Sequence, residues 1–391
     1  MNNKNINKKK VLITYATYGS GHKTVAHYIY DYLNKHSNYE IKIIDLLDYE
    51  NIIGLISKKA FEQNFKSQLS CLMFNVTYAV FNNKIATIPY KQITKAILKN
   101  KKLQQDIIDF NPDLLISTHF FGNIIMGILK KKNLTHCKIM SIITDYISHE
   151  MWLKDEESID ALIVSNEIVK QELVDKKINP KKIYPYGIPI KEDFSNVDNL
   201  PKVKKKYKVD NDKKTFLFFA GGSAGTSFSY KYFKRVVEEK LDINLIYVCG
   251  KNESLQRRAE KFIKRNEYKN VQVIGFSTEV NKLLAISDVV ITKPGGISIT
   301  ECLESKKPMI LIPGNGGQEV HNARFVCKNG YGLNSKIPMQ LIKNIKKLLK
   351  KKTLIYSMHK KLDKYNDNKS VEKIYKLSTN LIGNSKEWYY G

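Results

Sequence analysis

Short, unbroken apolar runs recur along this chain, separated by stretches of helical character. In the first half they are VLITYA (11–16), IKIIDLL (41–47), DLLISTH (113–119), KIMSIITD (138–145) and ALIVS (161–165). Continuous Val/Ile/Leu runs, rather than apolar-polar alternation, suit parallel strands buried on both faces. The second half repeats the grammar with TFLFFAGGS (215–223), INLIYVCG (243–250), VQVIGF (271–276), DVVITKPGG (288–296) and PMILIPG (308–314). Segments such as YKYFKRVVEEKL and ESLQRRAEKFIKR lie between them as helices, which right-handed βαβ crossovers require. The pattern predicts an α/β protein of two doubly wound domains with a cleft between them. Its length of 391 residues fits that division better than a single core. The join is expected near NVDNLPKVKKKYKVDNDKK (196–214), a charged stretch with a proline, giving domains 1–198 and 199–369.

One segment breaks the grammar. Residues 51–100 form a long insertion in which Phe, Tyr, Met and Leu are interleaved with Lys. Two readings stand: a pair of helices capping the N-terminal domain, or an amphipathic patch facing a membrane.

Bulk composition narrows the class. No apolar run approaches the roughly 18–20 residues that span a bilayer, and the start MNNKNINKKKVLITYA lacks the apolar core and cleavage site of a secretory signal. A cytoplasmic protein, soluble or peripheral on a membrane, is expected. The cysteines Cys71, Cys137, Cys249, Cys302 and Cys327 show no C-x-x-C spacing, which argues against a disulfide framework or a zinc site. The formal charge of +27 predicts attraction to nucleic acid or to an anionic lipid surface and does not choose between them. Part of it also reflects a chain rich in Lys, Asn and Ile together. No nucleic-acid motif with interleaved aromatics accompanies the charge.

Candidate chemistry sits in three glycine-bearing turns after strands, where open α/β sheets bind ligands. In ITYATYGSGHKTVAHYI, Gly19 and Gly21 permit close backbone approach and His22 stands where a helix begins. The helix dipole there favours neutral imidazole, which suits a general base; a capping or packing histidine is the alternative. In FFAGGSAGTSF, Gly221, Gly222 and Gly225 form a loop whose backbone N–H groups suit a diphosphate, without the Gly-Lys-Ser/Thr of a P-loop. In KPGGISITE, Gly295 and Gly296 open a helix that carries Glu301 in its first or second turn, suited to the two hydroxyls of a ribose. Gln318 and Glu319, followed by Asn322, are placed to hydrogen-bond sugar hydroxyls. Asp145, at a strand's end in TDYISHEMW, is a second candidate base or a helix cap.

Taken in order, GSGH, PDLLISTH (112–119), TDYISHEMW (144–152), YGIPI (186–190), GGSAG, GFSTEVNKLLAISDVVITKPGGISITE (275–301) and PGNGGQEVHNA (313–323) resemble the family 28 glycosyltransferases. Within that family the diacylglycerol glucosyltransferase and monogalactosyldiacylglycerol synthase branch is the nearer. The resemblance covers roughly residues 11–330 and implies a GT-B fold, two Rossmann-like domains, with the tail 370–391 crossing back onto the N-terminal one. It implies transfer from a UDP-hexose with inversion and without a bound metal. The one Asp-x-Asp, Asp210-Asn211-Asp212, lies in the charged linker. By the same resemblance Gly222, Ser223 and Gly225 hold the diphosphate, Phe276 meets the uracil and Glu301 the ribose, with Gly295, Gly296 and Ser298 also on the donor side. Gln318 and Glu319 meet the hexose, with Asn322 one turn further on as a donor-binding residue, while Gly21, His119, His149 and Trp152 line the acceptor side. Two departures stand out: Pro313 is separated from Gln318-Glu319 by Gly314-Asn315-Gly316-Gly317, and STHFFGN lacks the proline that often follows the histidine.

The expectation is an enzyme that moves a hexose, glucose first, from its UDP derivative to diacylglycerol, on the inner face of the cell membrane and drawn to anionic lipid. A polyprenyl-diphosphate-linked acceptor, a nucleotide-sugar 2-epimerase and a non-catalytic nucleic-acid-binding protein are the rivals.

Overall fold

The computed structural model describes residues 8–17, 20–49, 91, 94–96, 98–194, 197–221, 227–314, 316–365 and 369–383. Two compact units result. The insertion at 51–100 falls almost wholly outside the described residues, as do Gly19, Gly222, Ser223 and Gly225.

In unit 1 the strands are β1 (Lys10–Tyr15), β2 (Glu40–Asp45), β3 (Leu114–Ser117), β4 (Lys138–Ile142), β5 (Ala161–Ile163) and β6 (Ile183–Tyr184). They pair in the order β2-β1-β3-β4-β5-β6, all parallel. Helices α1 (Gly21–His36), α2 (Lys101–Phe110), α3 (Phe120–Lys131) and α4 (Glu167–Asp175) connect them. The central strand β3 is buried at every residue, whereas edge strand β2 begins exposed. Each fully buried Ile, Leu or Val contributes about 1.5–3 kcal/mol, so continuous apolar runs belong in the middle of the sheet.

Unit 2, Lys191–Asp367, holds β7 (Thr215–Phe219), β8 (Asn244–Val248), β9 (Val271–Ile274), β10 (Val289–Thr292), β11 (Met309–Leu311) and β12 (Gly332–Asn334). Their order is β12-β11-β10-β7-β8-β9, again parallel. The helices are α5 (Leu200–Lys206), α6 (Ser227–Glu238), α7 (Glu253–Asn266), α8 (Val280–Ile286), α9 (Gly296–Glu304), α10 (Gln318–Lys328), α11 (Pro338–Lys350) and α12 (Lys352–Leu362). A last helix, α13 (Ser370–Ile382), belongs to unit 1. There Ser370 Oγ donates to the Gly187 carbonyl at 2.8 Å, and Tyr39 and Thr379 share a hydrogen bond of 3.0 Å.

The division falls between Ile190 and Lys191, ahead of the charged stretch 196–214. That stretch is tied to unit 2: it contains α5, whose Lys206 pairs with Glu279 beside α8, and Lys282 holds the same carboxylate at 2.7 Å. These two cations hold the Glu279 carboxyl down at about 2. The apolar pattern also misses two strands, β6 and β12, both short and both at a sheet edge. Gly332 shows why β12 hides: a Cβ there would meet the Met309 carbonyl oxygen at 2.4 Å, so close backbone approach replaces the apolar side chain expected of a strand.

Candidate active site

Strand order decides where ligands gather. Open parallel sheets bind them beyond the carboxyl ends of the strands where the winding reverses. In unit 1 that point lies between β1 and β3; in unit 2 it lies between β7 and β10.

His22 occupies the first of these points, on the opening turn of α1. Its Nδ1 lies 2.6 Å from the Thr118 carbonyl oxygen and 3.2 Å from Thr144 Oγ1. A carbonyl only accepts, so Nδ1 carries the proton and neutral His22 presents its lone pair at Nε2. Thr118 holds the residue twice, because its hydroxyl also donates to the His22 carbonyl at 2.9 Å. Desolvation lowers the His22 pKa to about 4, against the opposing pull of the Thr118 carbonyl. The imidazole is therefore neutral at ordinary pH and chemically able to take a proton at Nε2.

His119 packs edge-on against it, with ring centroids 4.8 Å apart. It caps α3 by accepting at Nδ1 from the Phe121 N–H at 3.3 Å, which fixes the opposite tautomer, with the proton on Nε2. Burial first, then the neighbouring His22 and His149, push its pKa well below the usual range. His149 repeats the device one strand further along, accepting from the Met151 N–H at 3.1 Å at the start of a 3-10 turn. Phe120 stacks on His149 at 6.1 Å, and Trp152, buried in the core, meets Phe120 edge-on at 6.1 Å. Asp145 follows β4 beside Thr144 and is half-buried; the turn after it is capped by His149 instead. The candidates His22, His119, His149 and Trp152 thus converge. Among the described residues no group of three or more His, Cys, Asp or Glu side chains could hold a metal ion.

A buried polar lattice beneath these residues joins β1 to β3. Thr14 Oγ1 donates to Ser117 Oγ at 2.9 Å, and Ser117 Oγ donates on to the His119 carbonyl at 2.6 Å. Gly122 of α3 presses against both side chains; a Cβ there would stand 2.3 Å from each oxygen. Asp45, at the end of β2, accepts from the Thr17 N–H at 3.3 Å and the Leu47 N–H at 3.0 Å, securing the chain just before Gly21.

Unit 2 builds its centre differently. Gly221, two residues beyond β7, has φ +107° and stands just before Gly222, Ser223 and Gly225, which lie outside the described residues. After β10 come Lys293, Pro294 and the turn into α9, whose first-turn N–H groups have no side-chain cap. Gly295 has an ordinary φ of −75°, and a Cβ there would stand 3.9 Å from Glu319 Oε1 and 4.0 Å from Ser298 Oγ. Both are ordinary contact distances, so neither the backbone conformation nor crowding demands glycine at 295. Lys293 Nζ meets Glu319 Oε1 at 2.5 Å, and buried Asn322 donates to the Pro294 carbonyl at 3.1 Å. Gly316 and Gly317, two of the four residues that separate Pro313 from the Gln-Glu pair, both have positive φ, 89° and 54°. Their glycines let the lengthened turn close onto α10. Gln318 Oε1 is buried without a hydrogen-bond partner among the described residues, at a cost of about 1–3 kcal/mol unless a ligand supplies a donor.

Gly296, Glu301 and Ser298 lie on α9 and Gln318, Glu319 and Asn322 on α10, so one end of unit 2 collects them. Phe276 lies after edge strand β9, 55% exposed, with Lys251 Nζ 5.1 Å from its ring centroid. Sequence reasoning passed over Thr118, Thr144, Asp45 and Lys293. Lys293 carried a signal: it is the one charge set between a buried strand and the Pro-Gly-Gly turn.

Two family models match this chain: monogalactosyldiacylglycerol (MGDG) synthase over residues 22–190 and the glycosyltransferase family 28 C-terminal domain over 216–376. A protein of Bacillus pumilus named processive diacylglycerol beta-glucosyltransferase is 27% identical over 390 residues, covering 97% of this chain and 98% of that one. Among solved structures, Acinetobacter baumannii MurG superposes with a TM-score of 0.62 at 13% identity, over 95% of this chain and 99% of MurG. A UDP-GlcNAc 2-epimerase from Neisseria meningitidis gives 0.59 at 14% identity, over 95% and 100%. The structural likenesses define the class, paired Rossmann units of the GT-B fold. Within that class the chain joins a domain of the monogalactosyldiacylglycerol synthase family to a C-terminal domain of glycosyltransferase family 28.

Proposed function

We propose that this glycosyltransferase moves glucose from UDP-glucose to the free hydroxyl of diacylglycerol, inverting the anomeric centre to give a β-glycolipid. The observation that carries the reaction is the fixed tautomer of His22, which leaves Nε2 as a neutral base at the point where unit 1 reverses its winding. The name carried by the Bacillus pumilus relative, similar from end to end, supplies the acceptor and the sugar.

In this mechanism the acceptor oxygen attacks the anomeric carbon as His22 Nε2 takes its proton. The bond from that carbon to the diphosphate breaks and UDP leaves. Main-chain N–H groups at the start of α9 and in the Gly222–Gly225 loop, with Lys293, offset the charge that develops on the leaving group. Glu301 takes the ribose hydroxyls, Gln318 and Glu319 take the hexose, Phe276 meets the uracil, and His119, His149 and Trp152 line the acceptor side. Asp145 is the alternative base. No metal enters the scheme.

The test is transfer of label from UDP-glucose and, separately, UDP-galactose into lipid, with diacylglycerol as the sole acceptor. Labelled glycolipid from UDP-glucose supports the proposal, and preference for UDP-galactose corrects the sugar. UDP binding without any lipid product removes diacylglycerol and directs the search to polyprenyl-linked acceptors. Conversion of the donor with no acceptor present would mark an epimerase.

A further inference from the structure

We propose that the outer face of α11 and α12 is a docking surface for an anionic bilayer. On α11, Lys343, Lys346, Lys347 and Lys350 recur at i, i+3, i+4 and i+7, which puts them on one face. All four are exposed, while Leu341, Ile342, Ile345 and Leu348 bury the opposite side in the core of unit 2. On α12, Lys352, Tyr356 and Lys360 recur at i, i+4 and i+8, opposite buried Met358 and Leu362. Tyr356 is 71% exposed, so one aromatic ring stands in water with a lysine one turn away on either side. Two further apolar side chains, Ile337 at 58% and Met339 at 45% exposure, stand at the start of the same lysine stripe.

The charge here is one-sided. Residues 336–364 contain ten lysines and a single acid, Asp363. Of the four stripe lysines on α11 only Lys346 has an acidic partner, Glu239 at 2.7 Å, among the described residues. An ordinary solvated helix face intersperses both signs, as α7 does where Arg257 pairs with Glu253. Lysine stems covering apolar surface with their heads in water, around an exposed Tyr, Ile and Met, are the pattern of a face that lies in a headgroup layer. A nucleic acid would answer the charge but not the aliphatic side chains. The stripe also contains no arginine, the residue suited to forked contacts with phosphates and bases. The choice of a bilayer over another polyanion rests on the lipid acceptor proposed above.

The test is cosedimentation of the full chain with vesicles of phosphatidylcholine, alone or mixed with phosphatidylglycerol. Transfer to detergent-dispersed diacylglycerol is measured in parallel. The wild type is expected to bind only the mixed vesicles. Neutralising Lys343, Lys347 and Lys350 to Gln together should weaken that binding on the order of a hundredfold, with melting temperature and detergent-phase transfer unchanged. Tyr356→Ser should weaken it several-fold and leave its salt dependence intact. Full vesicle binding by the triple variant overturns the proposal, as does a wild type that ignores anionic vesicles. Selective loss of RNA binding, with vesicle binding retained, would give the face to a nucleic acid and overturn it too. If vesicle binding behaves as expected while no lipid is glycosylated, the docking surface stands and the acceptor assignment falls.

Discussion

At the carboxyl ends of β1 and β3, unit 1 presents side chains whose hydrogen bonds are already made. His22, His119 and His149 each commit Nδ1 to the main chain, and Thr14, Ser117 and Thr118 link the strands beneath them. The equivalent place in unit 2, beyond β7 and β10, is furnished with main chain: a glycine turn, a helix start whose N-cap is Gly295 with no side chain to cap it, and Gln318 Oε1 without a hydrogen-bond partner among the described residues. One centre is built to hold a base in a single tautomer, the other to be completed by a ligand. Electrostatic preorganisation explains the first, since a group held ready need not reorganise during reaction. Anion recognition by N–H groups explains the second.

The sharpest way to break this contrast is His22→Ala. If unit 1 supplies the base and unit 2 holds the donor, the variant loses about 10²- to 10⁴-fold in kcat, while its affinity for UDP, read by calorimetry, stays within about twofold of the wild type. A large loss of UDP affinity would put His22 on the donor instead. Next comes Gly122→Ala. Its methyl would meet Ser117 Oγ and Thr14 Oγ1 at 2.3 Å, inside a buried lattice that has no room to give. A loss of about 1–3 kcal/mol in chemical denaturation is expected, and kcat falls with it because the lattice carries Thr118.

These two residues also show how much the sequence discloses. Unbroken apolar runs identify ten of the twelve strands, because a strand covered on both faces writes its burial into every position. The two that are missed, β6 and β12, are edge strands of only two and three residues and leave no such mark. GSGH and PGG are legible as sites because turn glycines sit next to chemistry. Thr118 and Thr144 are not, since their part depends on which carbonyl or hydroxyl lies 2.6 or 3.2 Å from His22 Nδ1, across 96 and 122 residues of chain. Asp45 is hidden in the same way: its hold on Thr17 exists only once β2 lies beside β1. Pairings distant along the chain become visible only when the sheet order is known.

In unit 2 the informative change is Gly314→Ala. A Cβ at 314 would fall 1.7 Å from Glu319 Oε2. The obstacle is the end of a flexible side chain, so the fold absorbs it, and the loss falls on the ion pair with Lys293. With Glu319 on the hexose, KM for the donor should rise on the order of tenfold with kcat changed less, an effect of about 1.4 kcal/mol. Unchanged donor kinetics would remove Glu319 from the sugar and leave the pair a structural one.

The smallest expected effect tests how the base is held. Thr144 Oγ1 is a second acceptor for the His22 Nδ1–H, at 3.2 Å, behind the Thr118 carbonyl at 2.6 Å. Thr144→Val removes one hydrogen bond worth about 0.5–1.5 kcal/mol, so kcat should fall roughly two- to tenfold, with partial recovery in Thr144→Ser. A packing defect alone could lower kcat, so the distinguishing readout is the titration of His22. In the wild type the folded ring protonates near 4 and the unfolded ring near 6.5. Between those values the unfolded chain binds more protons, so this histidine's contribution to stability is intact above 6.5 and is lost as pH falls through the window. The Nδ1–H bond to Thr144 favours the charged ring, so its removal should move the folded-state titration lower still and deepen the loss of stability on the acid side. A His22 titration that stays where it is in Thr144→Val would make Thr144 a packing residue and leave the Thr118 carbonyl as the group that holds the tautomer.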